Sequence, residues 1–341
     1  MNATRLHRIL VTGGAGFIGS NLITALLNRG YHVTVADHLS VGKKQNIDLF
    51  LSHDNFDFIE LDLLDRNILK EVAKKCELVF HLSGNSIVKT GYHNSEIDFF
   101  NNIVATRNLL ESMRTSENCK KIVFTSTSAI YGEAQIIPTP EDYGPLKPIS
   151  MYGSSKLACE SLISGYAGTF GIEAVIFRLA NVVGPSSKHG VIFDFFNKLA
   201  QSDGKYLEIL GNGTQKKSYL YIDDCIDALV NIGIRRFESN FEIFNVGSDD
   251  QIDTNSIAQT IIAEMGLRTE IRYASQQTDG RGWIGDVKNM LLSTEKIKKM
   301  GWNTNYTSKE SISHTTKKMI ADKPNATEKF GFKSAPHSFA L

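Results

Sequence analysis

A strand that runs into a glycine-rich turn and then a helix, at the amino end of the chain, constrains the fold more than any other feature. The apolar run of residues 8–12 predicts a short buried strand. It leads directly into a turn that contains Gly13, Gly16 and Gly19. An amphipathic helix is predicted for residues 20–29. Because glycines at this spacing allow a tight turn and a close backbone approach to a pyrophosphate, the pattern predicts a dinucleotide site at the helix amino end.

The residue that ends the next predicted strand indicates which dinucleotide is bound. Residues 32–36 predict a second strand, and Asp37 follows it directly. A carboxylate at this place accepts hydrogen bonds from the adenosine ribose hydroxyls and repels a 2′-phosphate. Asp37 therefore favours NAD over NADP.

Strand and helix signals continue to alternate through the first half of the chain. Further strands are predicted at residues 78–80, from residue 121, at 176–180 and at 242–246, and further helices at 103–115, 153–170 and 190–202. This alternation predicts an α/β fold built on a doubly wound parallel sheet of the Rossmann type.

Two of the predicted strands end in polar residues that are suited to ligand binding. The strand that begins at Lys121 opens into a cluster of hydroxyl groups that includes Thr127 and Ser128, and the strand at 176–180 ends at Asn181. Ligands bind at strand ends in open α/β sheets, so these side chains are candidate site residues.

Tyr152 and Lys156 lie four residues apart on a predicted helix, so that both side chains leave the same helix face. A free tyrosine ionises near pH ~10 and is almost fully protonated at neutral pH. A nearby positive charge makes the phenol a usable acceptor for the proton of a sugar alcohol. The same spacing recurs on ordinary helices, so its meaning depends on the other segments.

Taken together, these segments resemble the extended short-chain dehydrogenase/reductase family, in particular its NAD-dependent nucleotide-sugar epimerases and dehydratases, over residues 7–303. The resemblance implies that Tyr152 is the catalytic base and that Thr127 hydrogen-bonds the substrate. It also implies that Lys156 binds the nicotinamide ribose and lowers the tyrosine pKa.

The resemblance further implies two sets of binding residues. Cofactor contacts are expected at Gly13, Gly16, Phe17, Ile18, Gly19, Asp37, Asp62, Leu63, Leu82, Asn102 and Lys156. Substrate contacts are expected at Lys89, Ser128, Asn181, Lys217 and Arg281. Asn181 and Arg281 would meet the substrate diphosphate, whereas Lys89 would meet a sugar hydroxyl or carboxylate.

The two residues after Thr127 bear on the reaction. In the family, 4,6-dehydratases carry an Asp-Glu pair there, and uronate decarboxylases carry a glutamate at the second position. This chain has Ser128 and Ala129, which cannot serve as acid or base. The leading hypothesis is therefore reversible epimerisation at the sugar C4. C4 oxidation that releases the keto-sugar, and a non-catalytic NAD-binding sensor or scaffold, remain as alternatives.

The family pattern also predicts the organisation of the chain. The NAD-binding domain is expected at residues 1–183 and 219–248, a smaller mixed α/β substrate-binding lobe at 184–218 and 249–320, and a tail at 321–341. Family members commonly dimerise through two helices, which here predicts a homodimer that uses residues 97–115 and 153–170.

Composition excludes several other classes of function. The 37 basic and 37 acidic residues of the 341-residue chain cancel, so no broad basic field for nucleic acid is expected. No apolar run reaches the ~18 residues that a membrane span requires, and no signal peptide is recognised. The four cysteines form no Cys-x-x-Cys pair, so neither disulfides nor a metal site are expected. A UDP-sugar as substrate and a cytoplasmic location complete the prediction.

Overall fold

A seven-stranded parallel sheet forms the centre of the computed structural model, which describes residues 8–274 and 279–322. The strands of the described residues are β1 (Arg8–Thr12), β2 (His32–Asp37), β3 (Phe56–Glu60), β4 (Leu78–His81), β5 (Lys121–Thr127), β6 (Glu173–Leu179), β7 (Asn181–Val183), β8 (Tyr206–Leu210), β9 (Lys216–Lys217), β10 (Tyr219–Tyr221), β11 (Phe241–Val246), β12 (Ile252–Asp253), β13 (Glu270–Ala274) and β14 (Asn289–Met290).

Helices cover the sheet and extend beyond it. They are α1 (Phe17–Leu27), α2 (Arg66–Ala73), α3 (Thr90–His93), α4 (Ser95–Asp98), α5 (Ala105–Arg114), α6 (Met151–Phe170), α7 (Val191–Gln201), α8 (Ile222–Gly233), α9 (Thr254–Glu264), α10 (Glu295–Lys299) and α11 (Ser308–Ala321). A π-helix at Phe99–Val104 and 3-10 helices at Lys44–Asn46, Asp48–Phe50 and Ser128–Tyr131 complete the helical segments of the described residues.

The strand order of the large sheet is β11-β6-β5-β4-β1-β2-β3, with every neighbouring pair parallel. The chain moves from β1 outward to β3 and then returns to place β4 on the other side of β1. Strand order therefore reverses between β1 and β4, and such a switch point opens a crevice at the carboxyl ends of the strands. The predicted doubly wound α/β fold is confirmed.

Alternation along the strands explains why both faces of the sheet are covered. In β1, Ile9 and Val11 join one hydrophobic cluster, whereas Leu10 joins the other. The first cluster contains residues of α1 and α8, and the second contains residues of α2, α5 and α6. Successive side chains of a strand point to opposite faces, so a strand that is apolar throughout needs helices on both sides.

A third apolar cluster lies among the small sheets. It joins side chains of α7, α9 and α11 to Leu207 and Ile209 of β8. β8 pairs with β13, β7 pairs with β10, and β9 lies between β12 and β14. The predicted division into an NAD-binding domain and a substrate lobe stays a prediction, and residues 323–341 of the predicted tail lie outside the described residues.

Two helix boundaries differ from the predictions in ways that affect the site. α1 begins at Phe17 instead of residue 20, since Gly16 has an extended backbone (φ −78°, ψ −179°) at the N-cap position. The predicted helix 103–115 begins as α5 at Ala105, because the π-helix Phe99–Val104 precedes it. π-Helical turns of this kind are frequent at functional sites.

Candidate active site

One large cleft opens at the carboxyl ends of the parallel strands. Its volume is about 1280 Å³, which exceeds the ~300–1,000 Å³ of a site for one small ligand. Fifteen of the predicted site residues line it: Gly13, Gly16, Phe17, Ile18, Gly19, Asp37, Asp62, Leu63, Leu82, Lys89, Thr127, Tyr152, Lys156, Asn181 and Lys217. Three predicted residues, Asn102, Ser128 and Arg281, are not part of its lining.

The glycine turn leaves the amino end of α1 open. Gly13 has a positive φ of 73°, and a Cβ there would lie 2.7 Å from the backbone nitrogen of Ser83. A Cβ on Gly19 would lie 2.4 Å from the carbonyl oxygen of Gly13, so helix and turn approach closely. No side chain caps α1, so the first backbone N–H groups of this helix remain available to a phosphate. The turn therefore fits a dinucleotide pyrophosphate.

Asp37 is fixed at the end of β2. Its Oδ1 accepts a hydrogen bond from the Leu39 N–H at 2.8 Å, and its Oδ2 accepts one from the Ala15 N–H at 3.0 Å. A carboxylate has about four acceptor positions, so the two that remain can receive the ribose hydroxyls of NAD. The same negative charge opposes a 2′-phosphate.

Tyr152 lies in the first turn of α6, because Ser150 caps the helix by accepting a hydrogen bond from the Gly153 N–H at 3.1 Å. Burial raises the pKa of Tyr152 to about 12, and the hydrogen bond with Thr127 acts in the opposite direction. This outcome differs from the expected lowering by Lys156. The Lys156 ammonium donates to the Thr125 carbonyl at 3.0 Å and lies 4.7 Å from the centroid of the Phe124 ring.

A buried ion pair, which was not predicted from the sequence, supports the segments at the base of the site. The carboxylate of Glu160, on α6, accepts a hydrogen bond from the Ser126 hydroxyl and forms an ion pair with Arg178 at 2.8 Å. Arg178 also donates to the Tyr131 hydroxyl at 2.8 Å. These bonds connect α6, β5, β6 and the 3-10 helix after Thr127. The sequence feature that could have indicated this ion pair is Arg178, a charged residue inside the apolar run 176–180.

A chain of buried polar groups runs beneath the glycine turn. His81 contacts the Thr12 hydroxyl through Nδ1 at 2.7 Å and the Thr106 hydroxyl through Nε2 at 2.9 Å. Burial lowers the pKa of His81 to about 3, with the charge of Lys156 as the smaller cause. His81 is therefore neutral and serves to join β1 to the helix layer.

Asn102 holds the segment 84–94 instead of lining the cleft. Its Oδ1 accepts a hydrogen bond from the Asn85 N–H at 2.7 Å, and its Nδ2 donates to the Ser155 hydroxyl at 2.7 Å. The buried Asp98 accepts a further hydrogen bond from the Asn85 side chain at 2.9 Å. The other oxygen of Asp98 is buried without a hydrogen-bond partner in the described part of the chain.

Of the predicted substrate contacts, Arg281 and Lys217 are already engaged with other groups, and Ser128 lies outside the cleft lining. Arg281 forms ion pairs with Glu133 at 2.9 Å and with Asp279 at 2.6 Å, and it donates a hydrogen bond to the Asp286 carbonyl at 2.9 Å. Lys217 pairs with Asp286 at 2.5 Å, and both residues line the cleft. Ser128 begins the 3-10 helix Ser128–Tyr131 and lies outside the lining. The substrate contacts predicted for Lys89, Ser128, Asn181, Lys217 and Arg281 all stay predictions.

Two classes of site find no support within residues 8–274 and 279–322. No group of three or more His, Cys, Asp or Glu side chains there could hold a metal ion. None of the helices in these ranges combines the length and the apolar character that crossing a membrane requires.

Comparison with known proteins gives the family. The model of the NAD dependent epimerase/dehydratase family matches residues 9–247, which span both the glycine turn and the Tyr152 helix. The chain belongs to this family. The predicted resemblance to this family and the prediction of NAD as the cofactor are thereby confirmed. NAD is a dinucleotide, which explains the fit of the cleft to such a ligand.

Individual relatives within the NAD-dependent epimerase/dehydratase family differ in their reactions. A putative UDP-glucose 4-epimerase of Methanocaldococcus jannaschii is 32% identical over 309 residues, covering 89% of this chain and 95% of that protein. A UDP-N-acetyl-alpha-D-glucosaminuronate decarboxylase of Bacillus cytotoxicus is 35% identical over 263 residues, covering 74% and 79%. A crystal structure of a UDP-galactose 4-epimerase is 37% identical with a TM-score of 0.82, covering 92% and 99%.

Proposed function

We propose that the protein is an NAD-dependent nucleotide-sugar 4-epimerase, which oxidises the C4 hydroxyl of the sugar and returns the hydride to the opposite face. The observation that carries the proposal is that Tyr152 and Thr127 line the same cleft as Lys156, and that Ser128 and Ala129 follow Thr127 in the sequence. The pair supplies a base and a positioning hydroxyl. The two residues that follow supply no carboxyl group for loss of water or of carbon dioxide.

The proposed reaction gives each of the three central residues a role. Tyr152 removes the C4 hydroxyl proton as the hydride leaves the same carbon, and it returns that proton in the reverse step. Thr127 holds the sugar hydroxyl and the phenol in register, and Lys156 binds the nicotinamide ribose. NAD, when bound, supplies the hydride acceptor and a positively charged ring. Positioning of the sugar C4 close to the nicotinamide ring accounts for much of the rate enhancement.

The proposed cofactor contacts follow the shape of the cleft. The glycine turn and the start of α1, with Phe17 and Ile18, bind the pyrophosphate, and Asp37 binds the adenosine ribose. Asp62 and Leu63 contact the adenine, and Leu82 lies toward the nicotinamide. Asn102 supports this end from behind, through its hydrogen bonds with Asn85 and Ser155.

The proposed substrate is a UDP-sugar, since the relatives named above act on UDP-sugars. Asn181 and Lys217 lie on the cleft wall and are proposed to meet the diphosphate. Arg281 can join them only if its ion pairs with Glu133 and Asp279 exchange for the phosphates. The proposed substrate lobe, 184–218 and 249–320, contains Lys217 and Arg281.

Two properties of the whole protein belong to the proposal. We infer a homodimer formed through α5, α6 and the π-helix, because Phe99 and Phe170 on these segments are 50% and 47% exposed. We also infer a cytoplasmic location, since all four cysteines are buried thiols without disulfides, as is usual in a reducing compartment.

Nuclear magnetic resonance of the purified protein with UDP-sugars tests the proposed reaction. The panel contains UDP-glucose, UDP-galactose, their N-acetylamino forms and UDP-glucuronate, without added reductant, and Tyr152→Phe serves as the control. Appearance of the C4 epimer with the wild type alone supports the proposal. A free 4-keto-sugar with equivalent NADH would instead identify a C4 dehydrogenase, and bound NAD without any turnover would identify a sensor or scaffold.

A further inference from the structure

The segment 84–94, after β4, is held against the amino end of α6 at both of its ends. At the first end, the Asn85 N–H donates to Asn102 at 2.7 Å. At the second end, a Cβ on Gly91 would lie 2.0 Å from Asp98 Oδ2 and 3.1 Å from the Cβ of Met151. Met151 directly precedes Tyr152. The segment therefore lies against the amino end of α6, the helix that carries the proposed base.

Lys89 lies in the middle of this segment and lines the cleft. Its ammonium group forms no hydrogen bond or ion pair with any residue that the structure describes. Two other cleft lysines are neutralised by carboxylates, since Lys217 pairs with Asp286 and Lys198 pairs with Asp194 at 2.9 Å. The carboxylate of Asp98 is buried behind Gly91 and is engaged with the Asn85 and Asn102 side chains.

The chemistry of a pyranose ring decides which part of a substrate can face Lys89. The diphosphate is attached at C1, and C1 lies across the ring from C4. C6 is attached to C5, the neighbour of C4. When C4 meets Tyr152, a cation near Tyr152 faces the substituents beside C4 and not the diphosphate. These substituents are the C3 hydroxyl and C6, and only C6 can be a carboxylate.

We propose that Lys89 is a specificity-determining residue that binds the C6 carboxylate of a uronic acid, so that the preferred substrate is a nucleotide-linked uronate. This inference rests on the proposed 4-epimerase function. A carboxylate forms a charge-assisted hydrogen bond with the ammonium, which is about twice as strong as the bond that a neutral C6 hydroxyl would form. The anchored segment also limits the entropy lost when the lysine is immobilised.

The test compares UDP-glucuronate with UDP-glucose as substrates for the same enzyme. The measured quantity is the ratio of kcat/KM for the uronate to kcat/KM for the neutral sugar. We expect the wild type to favour the uronate and Lys89→Met to lower the ratio about 10-fold or more. Lys89→Arg should keep most of the preference, because it keeps the charge, and Lys89→Glu should reverse it.

Lys43 provides a matched control in the same cleft. Its backbone N–H donates to the Ala15 carbonyl at 3.2 Å, so it lies at the cofactor end beside the Asp37 turn. Lys43→Met can change the affinity for NAD, but that change affects both substrates equally and should leave the ratio unaltered. Bound NAD, measured by absorbance after release, reports whether each variant is folded and loaded.

The outcomes separate this inference from the proposed function. Epimerisation of UDP-glucose without preference for the uronate, or a ratio that Lys89→Met leaves unchanged, would overturn the role of Lys89 and leave the 4-epimerase standing. Conversion of the uronate to a pentose with release of carbon dioxide, lost in Lys89→Met, would support the carboxylate site and overturn the epimerase. Absence of turnover with every sugar would overturn both.

Discussion

Tyr152 can act as a base only in its deprotonated form, and its surroundings oppose deprotonation. Burial raises the pKa of Tyr152 to about 12, and the negative charge of Asp98 from α4 acts in the same direction. The Thr127 hydroxyl, from β5, lowers the pKa. Because the reactive form lies above this pKa, kcat/KM should rise with pH wherever deprotonation limits the rate.

Removal of the Asp98 charge should make Tyr152 easier to deprotonate. Asp98→Asn keeps the size of the side chain and removes a negative charge that raises the pKa of Tyr152. We expect the acidic limb of the kcat/KM profile to move to lower pH by about one unit or less. The control is Asp57→Asn, whose exposed carboxyl lies at the outer end of the sheet. A limb that stays in place would contradict the electrostatic role of Asp98.

At the scale of single residues, the sequence predicted positions in the cleft only where a short motif existed. Tyr152, Thr127 and Asp37 belong to short patterns with a stated chemical reason, and all three line the cleft. The raised pKa of Tyr152 was not foreseen, since it depends on burial and on Asp98, which belongs to no motif. The ion pair of Arg281 with Glu133 was likewise not foreseen, because it joins segments that are distant in the sequence.

At the scale of elements, α6 is the helix on which the proposed chemistry depends. One face carries Tyr152 and Lys156, and Glu160 follows one turn later at the buried ion pair with Arg178. Both members of that pair are no more than 5% exposed, so neither charge is solvated by water. Removal of one member leaves the other uncompensated in a medium of low dielectric constant.

Glu160→Gln should therefore destabilise the protein strongly. We expect the free energy of unfolding to fall by about 3 kcal/mol, because Arg178 would remain buried without a counter-charge. Urea unfolding followed by circular dichroism measures the change. Glu71→Gln breaks an exposed ion pair with Lys74 and should leave the urea midpoint unchanged. Equal effects of the two substitutions on the free energy of unfolding would contradict a larger contribution of the buried ion pair to stability.

Gly91 is the position where the segment 84–94 depends on the absence of a side chain. A Cβ there would lie 2.0 Å from Asp98 Oδ2, so Gly91→Ala should displace the segment and raise the substrate KM. Gly165→Ala is the matched control, since a Cβ there has no atom within 4 Å and Gly165 lies inside α6. The control should stabilise the helix by about 0.5–1 kcal/mol. A Gly91→Ala enzyme with unchanged KM would contradict the tight contact.

Long periodic segments were predicted correctly at this scale, and their ends were not. β1, β2 and α7 lie within a residue or two of the predicted positions. α1 begins three residues earlier than predicted, because an extended Gly16 at the cap leaves Phe17, Ile18 and Gly19 free to enter the helix. The π-helix Phe99–Val104 takes the first two residues of the helix predicted at 103–115, since helical periodicity does not distinguish π from α turns.

At the scale of the whole molecule, the proposed homodimer would cover exposed aromatic side chains. Phe99, Phe100 and Phe170 are each at least 44% exposed on the π-helix and on α6. A double substitution, Phe99→Ser with Phe170→Ser, should convert the dimer to a monomer in multi-angle light scattering. The matched control is Leu49→Ser with Ile284→Ser, which removes exposed apolar side chains elsewhere. A monomeric wild type would contradict the proposal.

In the proposed reaction, the hydride returns to the sugar from which it came, and a C4 deuterium label tests this directly. The enzyme is incubated with its UDP-sugar substrate labelled at C4, without added NAD or NADH, and the product is analysed by mass spectrometry and NMR. We predict the C4 epimer with deuterium retained at C4. A released keto-sugar, which has lost that deuterium to the cofactor, or a decarboxylated sugar with or without the label, would contradict the 4-epimerase.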